Sequence, residues 1–493
     1  MKKCILTFCI ANCGGLVALA QAQDYVATVI DDKTETPIPY ATVKYGTFSG
    51  VITNEEGVFN LTNERIKDAD SIYISSLGYE KLAIALKTDL PSIIRLVPKP
   101  FELEGVFLTD KQIPVEDIID SVKVHFATNY TADFEKKKIF FRQSDLNRLD
   151  RANIEFKKST IEELNEELID SISSIIPRNS SYYREALCDY YGSYKGHKLH
   201  IVKAAELYDK TNDGSVEALG EKLEKIFQDN VKPNSYLKIK SGLFGTKVQL
   251  DSITENNEDA QAIKVEVNED NDYFHQVIKD RINVLYEQLF FLEDTKLDVF
   301  TKSNRYTFEL DDFTFIDDVA VYVIRFSPKS KKDFKGVMYV NTDDFGVMRL
   351  EYENVRPLRK IKLLGISYEE SVFNGKLFFT KLNDVYTPTY IELVDGKKFG
   401  IDRPLKVIEK NKFVKGRRKQ NELSLGLDFK NAQTVKYEFV VFDTEALSSD
   451  TYKTIEENKK VKATYLTKYD PDFWQGYTII EPNAAIRAFS VAE

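Results

Sequence analysis

Beyond Phe300 the chain is a succession of short segments rich in Val, Ile, Tyr and Phe that alternate apolar with polar residues. A two-residue period puts one apolar face on each segment, so the pattern points to half-buried strands in an antiparallel sheet. The candidate strands are 305–310, 320–326, 336–341, 347–354, 366–372, 376–382, 390–393, 421–429 and 436–442. Polar turns join several of them. One is Asn341-Thr342-Asp343-Asp344-Phe345-Gly346, and another is Asn374-Gly375, a favoured two-residue hairpin loop. The expected architecture is one curved, half-barrel-like sheet with a helix across its concave face. The supply of residues agrees: 27 Tyr and 32 Phe suit pleated, half-buried surfaces, while Trp474 is the single tryptophan.

The N-terminus carries a different signal. Met1-Lys2-Lys3 precedes an apolar run from Ile5 to Leu19, and Ala20-Gln21-Ala22 supplies small residues before Gln23. That is the layout of a secretory leader over 1–22, and the apolar run is short for a membrane span. Three of the four cysteines, Cys4, Cys9 and Cys13, fall inside it. Asn12 stands before Cys13 where a lipidated cysteine wants a small residue. After cleavage only Cys188 would remain, which excludes an internal disulfide, so the core must carry the stability. Losing Lys2 and Lys3 takes the formal charge from −10 to −12. A field of that sign opposes non-specific nucleic-acid binding. No later stretch approaches 18 apolar residues, so no transmembrane helix is expected. A chain of 493 residues suggests about three domains.

From Tyr25 to Pro98, strands at 25–30, 38–45, 50–53, 58–61, 71–75, 81–86 and 92–97 are separated by turn residues, as in an all-β sandwich. Gly57 sits where a tight turn wants positive φ, and Phe59 and Leu61 alternate with polar neighbours. Leu77 is expected to fill the core at the Gly78-Tyr79 bend. Three ordered stretches carry a resemblance: Pro37-Ile38-Pro39-Tyr40-Ala41-Thr42-Val43, then residues 50–61, then Ile74-Ser75-Ser76-Leu77-Gly78-Tyr79. They resemble the carboxypeptidase-regulatory-like domain, although Ala27-Thr28 stand where that family has a glycine. The resemblance implies a transthyretin-like seven-strand sandwich over 23–98, a non-catalytic spacer or docking module common in Gram-negative envelope proteins.

Pro98 and Pro100 end this module, and 99–130 reads as a linking strand (102–108) and a helix opened by Pro114. Residues 131–300 read as helix-rich. Ser159-Thr160 with Glu162-Glu163 offers a capping box for one helix ending at Pro177, and two more are expected over 216–227 and 273–292. The sheet then occupies 301–445, with a C-terminal extension over 446–493. Val321 to Phe326, Gly336 to Asn341 and Val347 to Glu351 resemble a segment of outer-membrane lipoprotein-carrier-like half-barrels. That likeness implies a curved sheet and an apolar groove. Residues 469–477, with Trp474 between Phe473 and Gln475, are read as a packing anchor or an exposed partner contact.

Chemistry is sparse. The histidines are His125, His197, His200 and His275, and no H-E-x-x-H or H-x-x-E zinc pattern occurs. His197 and His200 fall on a strand-like stretch, where their side chains point oppositely. No G-x-S-x-G elbow, phosphate loop or G-x-G-x-x-G fingerprint is present. Basic clusters at 329–335, 356–362 and 410–419, the last holding Lys415, Arg417 and Arg418, read as solvated hairpin tips or as contacts for anionic headgroups. The fold class is therefore mainly β: a seven-strand sandwich, then an α+β part built on a curved antiparallel sheet with packed helices. The function expected is a non-catalytic, exported envelope protein that binds a lipid, lipoprotein or outer-membrane partner. It would need no cofactor and no metal, and Lys415, Arg417, Arg418 and Trp474 are its candidate contacts. The competing reading is an envelope hydrolase using a carboxylate pair.

Overall fold

The computed structural model describes residues 24–86, 90–99, 113–211, 213–232, 234–242, 244–249, 271–411, 413–415 and 418–491. The leader 1–22, the strand expected at 102–108 and Arg417 lie outside them.

Seven strands form the N-terminal sandwich. β1 (Tyr25–Asp31) lies between β4 (Val58–Leu61) and β7 (Ile93–Leu96) in one sheet; β2 (Thr42–Lys44) and β5 (Ser71–Ser75) are central in the other, flanked by β3 (Gly50–Ile52) and β6 (Leu82–Ala85). Alternation places Val29, Phe59, Leu61, Ile72 and Ile74 in the core, all fully buried. Gly57 has φ +73°, and a Cβ there would come within 2.5 Å of the Val29 carbonyl. β7 pairs with β1 in parallel, a long-range choice that no local pattern announces.

The second sheet is open and much larger. Its strand order is β13 (Tyr306–Ile316), β14 (Val319–Pro328), β15 (Phe334–Asn341), β16 (Val347–Asn354), β18 (Ile366–Leu382), β19 (Val385–Asn411), β20 (Lys419–Ala446), β8 (Glu135–Ser159), β9 (Asn179–Ser193), β10 (Gly196–Tyr208) and β21 (Thr464–Leu466). β17 (Arg359–Leu363) pairs with β18, and the hairpin of β11 (Ser235–Ser241) and β12 (Phe244–Gln249) pairs with β19. β13 to β20 form the expected meander. The stretch 131–300 departs from its helix-rich reading, because β8, β9 and β10 continue the sheet beyond β20.

Two breaks expected between strands do not exist. β20 runs unbroken through 430–435, and β18 runs through Asn374-Gly375, which pair with Val394 and Leu393 of β19. Gly375 makes room instead of a turn: a Cβ there would lie 2.4 Å from the Tyr352 ring. β8, β19 and β20 reach 25, 27 and 28 residues, far beyond ordinary strands. Register shifts, as between Lys430 and Asn431, let such long strands bend without losing their pairing.

Alternation gives the sheet two covered faces. On one side Ile139, Phe141, Cys188, Tyr190, Leu199, Ile391 and Phe439 pack against α1 (Val115–Val124) and α4 (Asn271–Tyr286) through Ile118, Ile119, Val122, Ile278, Ile282 and Leu285. On the other side Phe140, Leu187, Leu207, Tyr390, Val440 and Phe442 pack against the sandwich and the C-terminal segment. α2 (Glu166–Ile175) and α3 (Asp213–Asn230) meet in a separate cluster around Leu168 and Ile226. α2 is capped by Asn165, whose Oδ1 accepts from Leu168 N at 3.0 Å. The box expected at Ser159-Thr160 is not used: Ser159 Oγ accepts from Ile161 N at 3.0 Å in a local turn, and Thr160 Oγ1 accepts from Glu422 N of β20 at 2.8 Å.

On the helical face the side chains of sheet and helices pack against one another. Tyr130 stacks on Phe291 at 4.5 Å, and Phe126, Phe290, Phe300 and Phe379 complete an aromatic cluster there. A cavity of about 20 Å³ lined by Tyr190, Tyr286 and Phe291 is water-sized. Substituting Gly375→Val drives a branched side chain into the Tyr352 ring. It is expected to cost about 1–3 kcal/mol, read as a lowered urea midpoint at unchanged m-value.

Candidate functional site

One row of side chains crosses the sandwich-facing side of the large sheet. In register, Lys376 of β18 opposes Glu392 of β19, Glu392 opposes Glu438 of β20, Glu438 opposes Arg142 of β8, and Arg142 opposes Glu185 of β9. Because one face holds every second residue, an ionisable residue at each position places five such groups side by side. Arg142 Nε donates to Glu185 Oε1 at 2.7 Å, and Lys376 Nζ meets Glu392 Oε1 at 2.5 Å. Lys436, two residues along β20, bridges the two adjacent acids at 3.0 Å (Glu392) and 3.1 Å (Glu438).

The covering layers complete the row. From the sandwich, Tyr40 donates to Glu392 at 3.1 Å, and Glu55 accepts from Lys436 at 2.8 Å. From the C-terminal segment, the Ile480 carbonyl accepts from Arg142 Nη2 at 2.8 Å, and Trp474 Nε1 donates to Glu185 Oε2 at 2.8 Å. Trp474 is 4% exposed, so it anchors this segment in the interior and does not face a partner. Burial pushes the Glu392 carboxyl up, but Lys436 and Lys376 overcome it and hold the group at about 2. A carboxylate held that far down stays ionised at neutral pH and is unsuited to act as a general acid.

Beside this row lies a cleft between sandwich and sheet with a cavity of about 140 Å³. Phe48, Val51 and Leu77 line it from the sandwich, and Ile316, Met348, Phe378 and Phe442 from the sheet, with Thr42, Thr380, Thr389 and Thr444 among them. Leu77 therefore sits half-buried on the cleft wall and not in the sandwich core. Lys44 pairs with Asp317 at the cleft, and Ser75 donates to Asp317 at 2.8 Å. Burial raises the Asp317 carboxyl, yet Lys44 and Ser75 bring it below its usual value.

The remaining candidates lie apart. Lys415 and Arg418 are exposed at the turn between β19 and β20. Along β20 that turn is roughly 60 Å from Glu438, at ~3.3 Å per residue, so it forms no common site with Trp474. In the 329–335 cluster Lys332 pairs inward with Asp298 at 2.5 Å. In the 356–362 cluster Arg356 pairs with Asp333 at 2.7 Å and Lys360 with Glu369 at 2.7 Å. His197 and His200 point to opposite faces of β10: His197 is buried, stacked on Tyr190 at 5.0 Å, while His200 contacts the Tyr191 ring at 5.4 Å. Among the described residues no group of three or more His, Cys, Asp or Glu is placed to hold a metal ion. Cys188 is fully buried, which pushes its thiol up.

The charge row was not read from the sequence. Its signal is a charged residue at an in-facing position of strands that otherwise bury apolar ones, as in Phe140-Phe141-Arg142, and only the register reveals the partners.

No protein-family model and no curated protein matches the sequence. Among solved structures, the chain is similar over 70% of its length to a DUF1329 family protein from Desulfovibrio piger (98% of that chain, 10% identity, TM-score 0.19). Over 69% it is similar to a LolA superfamily protein from Nitrosomonas europaea (98%, 9% identity, TM-score 0.17). Over 68% it is similar to a chain of the Pseudomonas aeruginosa MucA/MucB complex (100%, 8% identity, TM-score 0.16). At TM-scores this low no functional conclusion attaches to these likenesses. Among the described residues no helix is long and apolar enough to cross a membrane.

Replacing Arg142 with Met leaves Glu185 buried without its cation, while Glu438 keeps Lys436 at 3.1 Å. The expected cost is about 3–5 kcal/mol. The emission of the single tryptophan should shift red before global unfolding, as the C-terminal segment releases. Acid should destabilise the fold in two ranges. Burial lowers His197 from 6.5 to about 4, so stability that is full above 6.5 falls as the pH drops toward 4. Glu392, lowered from 4.5 to about 2, contributes stability above 4.5 that is lost toward 2. In a melting series against pH, His197→Phe should flatten the upper range and leave the lower one.

Proposed function

We propose that this chain is a non-catalytic protein of a Gram-negative envelope, exported by the leader 1–22, which holds an acyl chain of a lipid or lipoprotein in the cleft between its two β layers. Residues 23–98 act as a carboxypeptidase-regulatory-like module, and 99–130 link it to the sheet-bearing part of the molecule (131–445). The extension 446–493 straps the two together. The observation that carries the reading is the cleft: apolar side chains interleaved with threonines and serines, the Lys44–Asp317 pair, Arg349 lying over the Phe378 ring, and a volume near that of an apolar cavity known to take a benzene-sized group. A site of that kind rewards insertion of an apolar chain end and offers no converging acid or imidazole to react with it. The basic turn with Lys415, Arg417 and Arg418 is proposed as a contact for an anionic envelope partner.

Native mass spectrometry and lipid extraction on protein purified from its own envelope test the reading. Acyl-bearing adducts are expected, released on denaturation and depleted in Thr380→Phe, which fills the cleft. A chain that carries a stoichiometric outer-membrane protein and no acyl group would replace the lipid with a protein partner.

A further inference from the structure

Topology brings two hairpin tips to one arginine far from the cleft. At the first tip Leu363 pairs with Ile366 across Leu364 and Gly365, whose φ values are +47° and +80°. Such a turn favours Asn-Gly, and a bulky side chain in the left-handed region carries a conformational cost. Here the costly residue is a leucine that gains nothing from burial: Leu363 and Leu364 are 58% and 53% exposed. At the second tip Phe244, which pairs with Ser241, is 52% exposed.

Both tips close on Arg403 of β19. A Cβ on Gly365 would lie 2.8 Å from Arg403 Cγ, and one on Gly242 would lie 2.7 Å from its Nη2. The guanidinium lies 5.1 Å from the Phe244 ring centre, and Nη2 donates to the Ser241 carbonyl. Arg403 is only 6% exposed, yet its Nε and Nη1 are buried without a hydrogen-bond partner, and among the described residues no carboxylate pairs with it. A buried cation with two idle N–H groups is a costly arrangement that a phosphate oxygen would relieve. Lys362 on β17 and Lys240 on β11 add cations that have no ion pair among the described residues, whereas Arg359, farther from the tip, faces Glu370 across the ladder and lies over the Tyr368 ring. Asp402 is exposed and, by strand alternation, on the opposite face from Arg403.

We propose that these paired tips dock the protein on an anionic phospholipid surface, with Leu363, Leu364 and Phe244 entering the acyl boundary and Arg403 taking a headgroup phosphate as the tips part. The inference rests on the reading of the chain as an envelope protein, but not on the cleft. Exposed apolar points beside Arg403, Lys362 and Lys240 suit the headgroup boundary, where apolar insertion and anionic attraction add. The overall negative charge, −10 for the full sequence and −12 without the leader, repels such a surface, so only a locally basic end can approach it.

Full-length protein is co-sedimented with vesicles of phosphatidylethanolamine and phosphatidylglycerol, and with phosphatidylcholine alone. Binding is expected for the anionic vesicles only, weakening with salt. Leu364→Asn suits the turn and should keep or raise the thermal midpoint; combined with Leu363→Ser it should weaken binding about tenfold. Arg403→Gln should remove the preference for phosphatidylglycerol, while Thr380→Phe should sediment as wild type, which separates this test from that of the cleft. Absence of wild-type binding to anionic vesicles, or equal binding by the double tip variant, would overturn the proposal. So would capture of a partner protein at the tips without vesicle binding.

Discussion

Arg142 is the group on which the assembly of this molecule turns. It sits under the covering layers with Glu185 at 2.7 Å and Glu438 at 3.8 Å, and it takes the Ile480 carbonyl from the C-terminal segment. A buried ion pair adds little net stability, because stripping water from each charge offsets most of the attraction. Its consequence is positional. The charges are tolerable only when every partner is in place, so the sheet, the sandwich and the C-terminal segment must meet in one arrangement. Tyr40, Glu55, Trp474 and the Ile480 carbonyl are the pieces those layers contribute.

The large sheet is a wall shared by two cores of different character. The helical side is packed with aromatic and aliphatic side chains around a water-sized cavity. The sandwich side carries the charge row and, next to it, the cleft. A packed face and a partly polar face serve different ends: the first supplies stability, and the second leaves space at the seam between layers. The long strands then carry the hairpin around Arg403 and the basic turn with Lys415 and Arg418 well away from that seam. The two proposed activities are thereby separated in space on one framework.

Much of the fold was legible because it is local. Alternation in 305–354 marks β13 to β16, Gly57 marks a turn, and the spacing of Ile118, Ile119 and Val122 marks α1. Errors arose where tertiary contact overrode a local signal. Asn374-Gly375 reads as a hairpin loop, but Tyr352 needs the space beside Gly375, and the flanking ladder to β19 holds the strand straight. Ser159-Thr160 reads as a helix cap, but Ser159 bonds Ile161 in a local turn and β20 takes Thr160. The candidate site was barely legible, since Lys376, Glu392, Glu438, Arg142 and Glu185 lie on five strands, with Glu185 and Lys376 separated by nearly two hundred residues. Trp474 was legible as an anchor and not as to what it anchors.

By itself the sequence determined the β character of the chain, the sandwich pattern before Pro98, the amphipathic helices, and the scarcity of metal-binding and nucleophilic motifs. These follow from residue type and period within a window of a few residues, which no distant contact is needed to set. Only the tertiary structure decided which strands are neighbours, that helices pack one face of the large sheet, and that a cleft lies at the seam with the sandwich. Strand order and register depend on pairings between residues hundreds of positions apart. Hydrophobic alternation says which face of a strand is buried, but it cannot say against what.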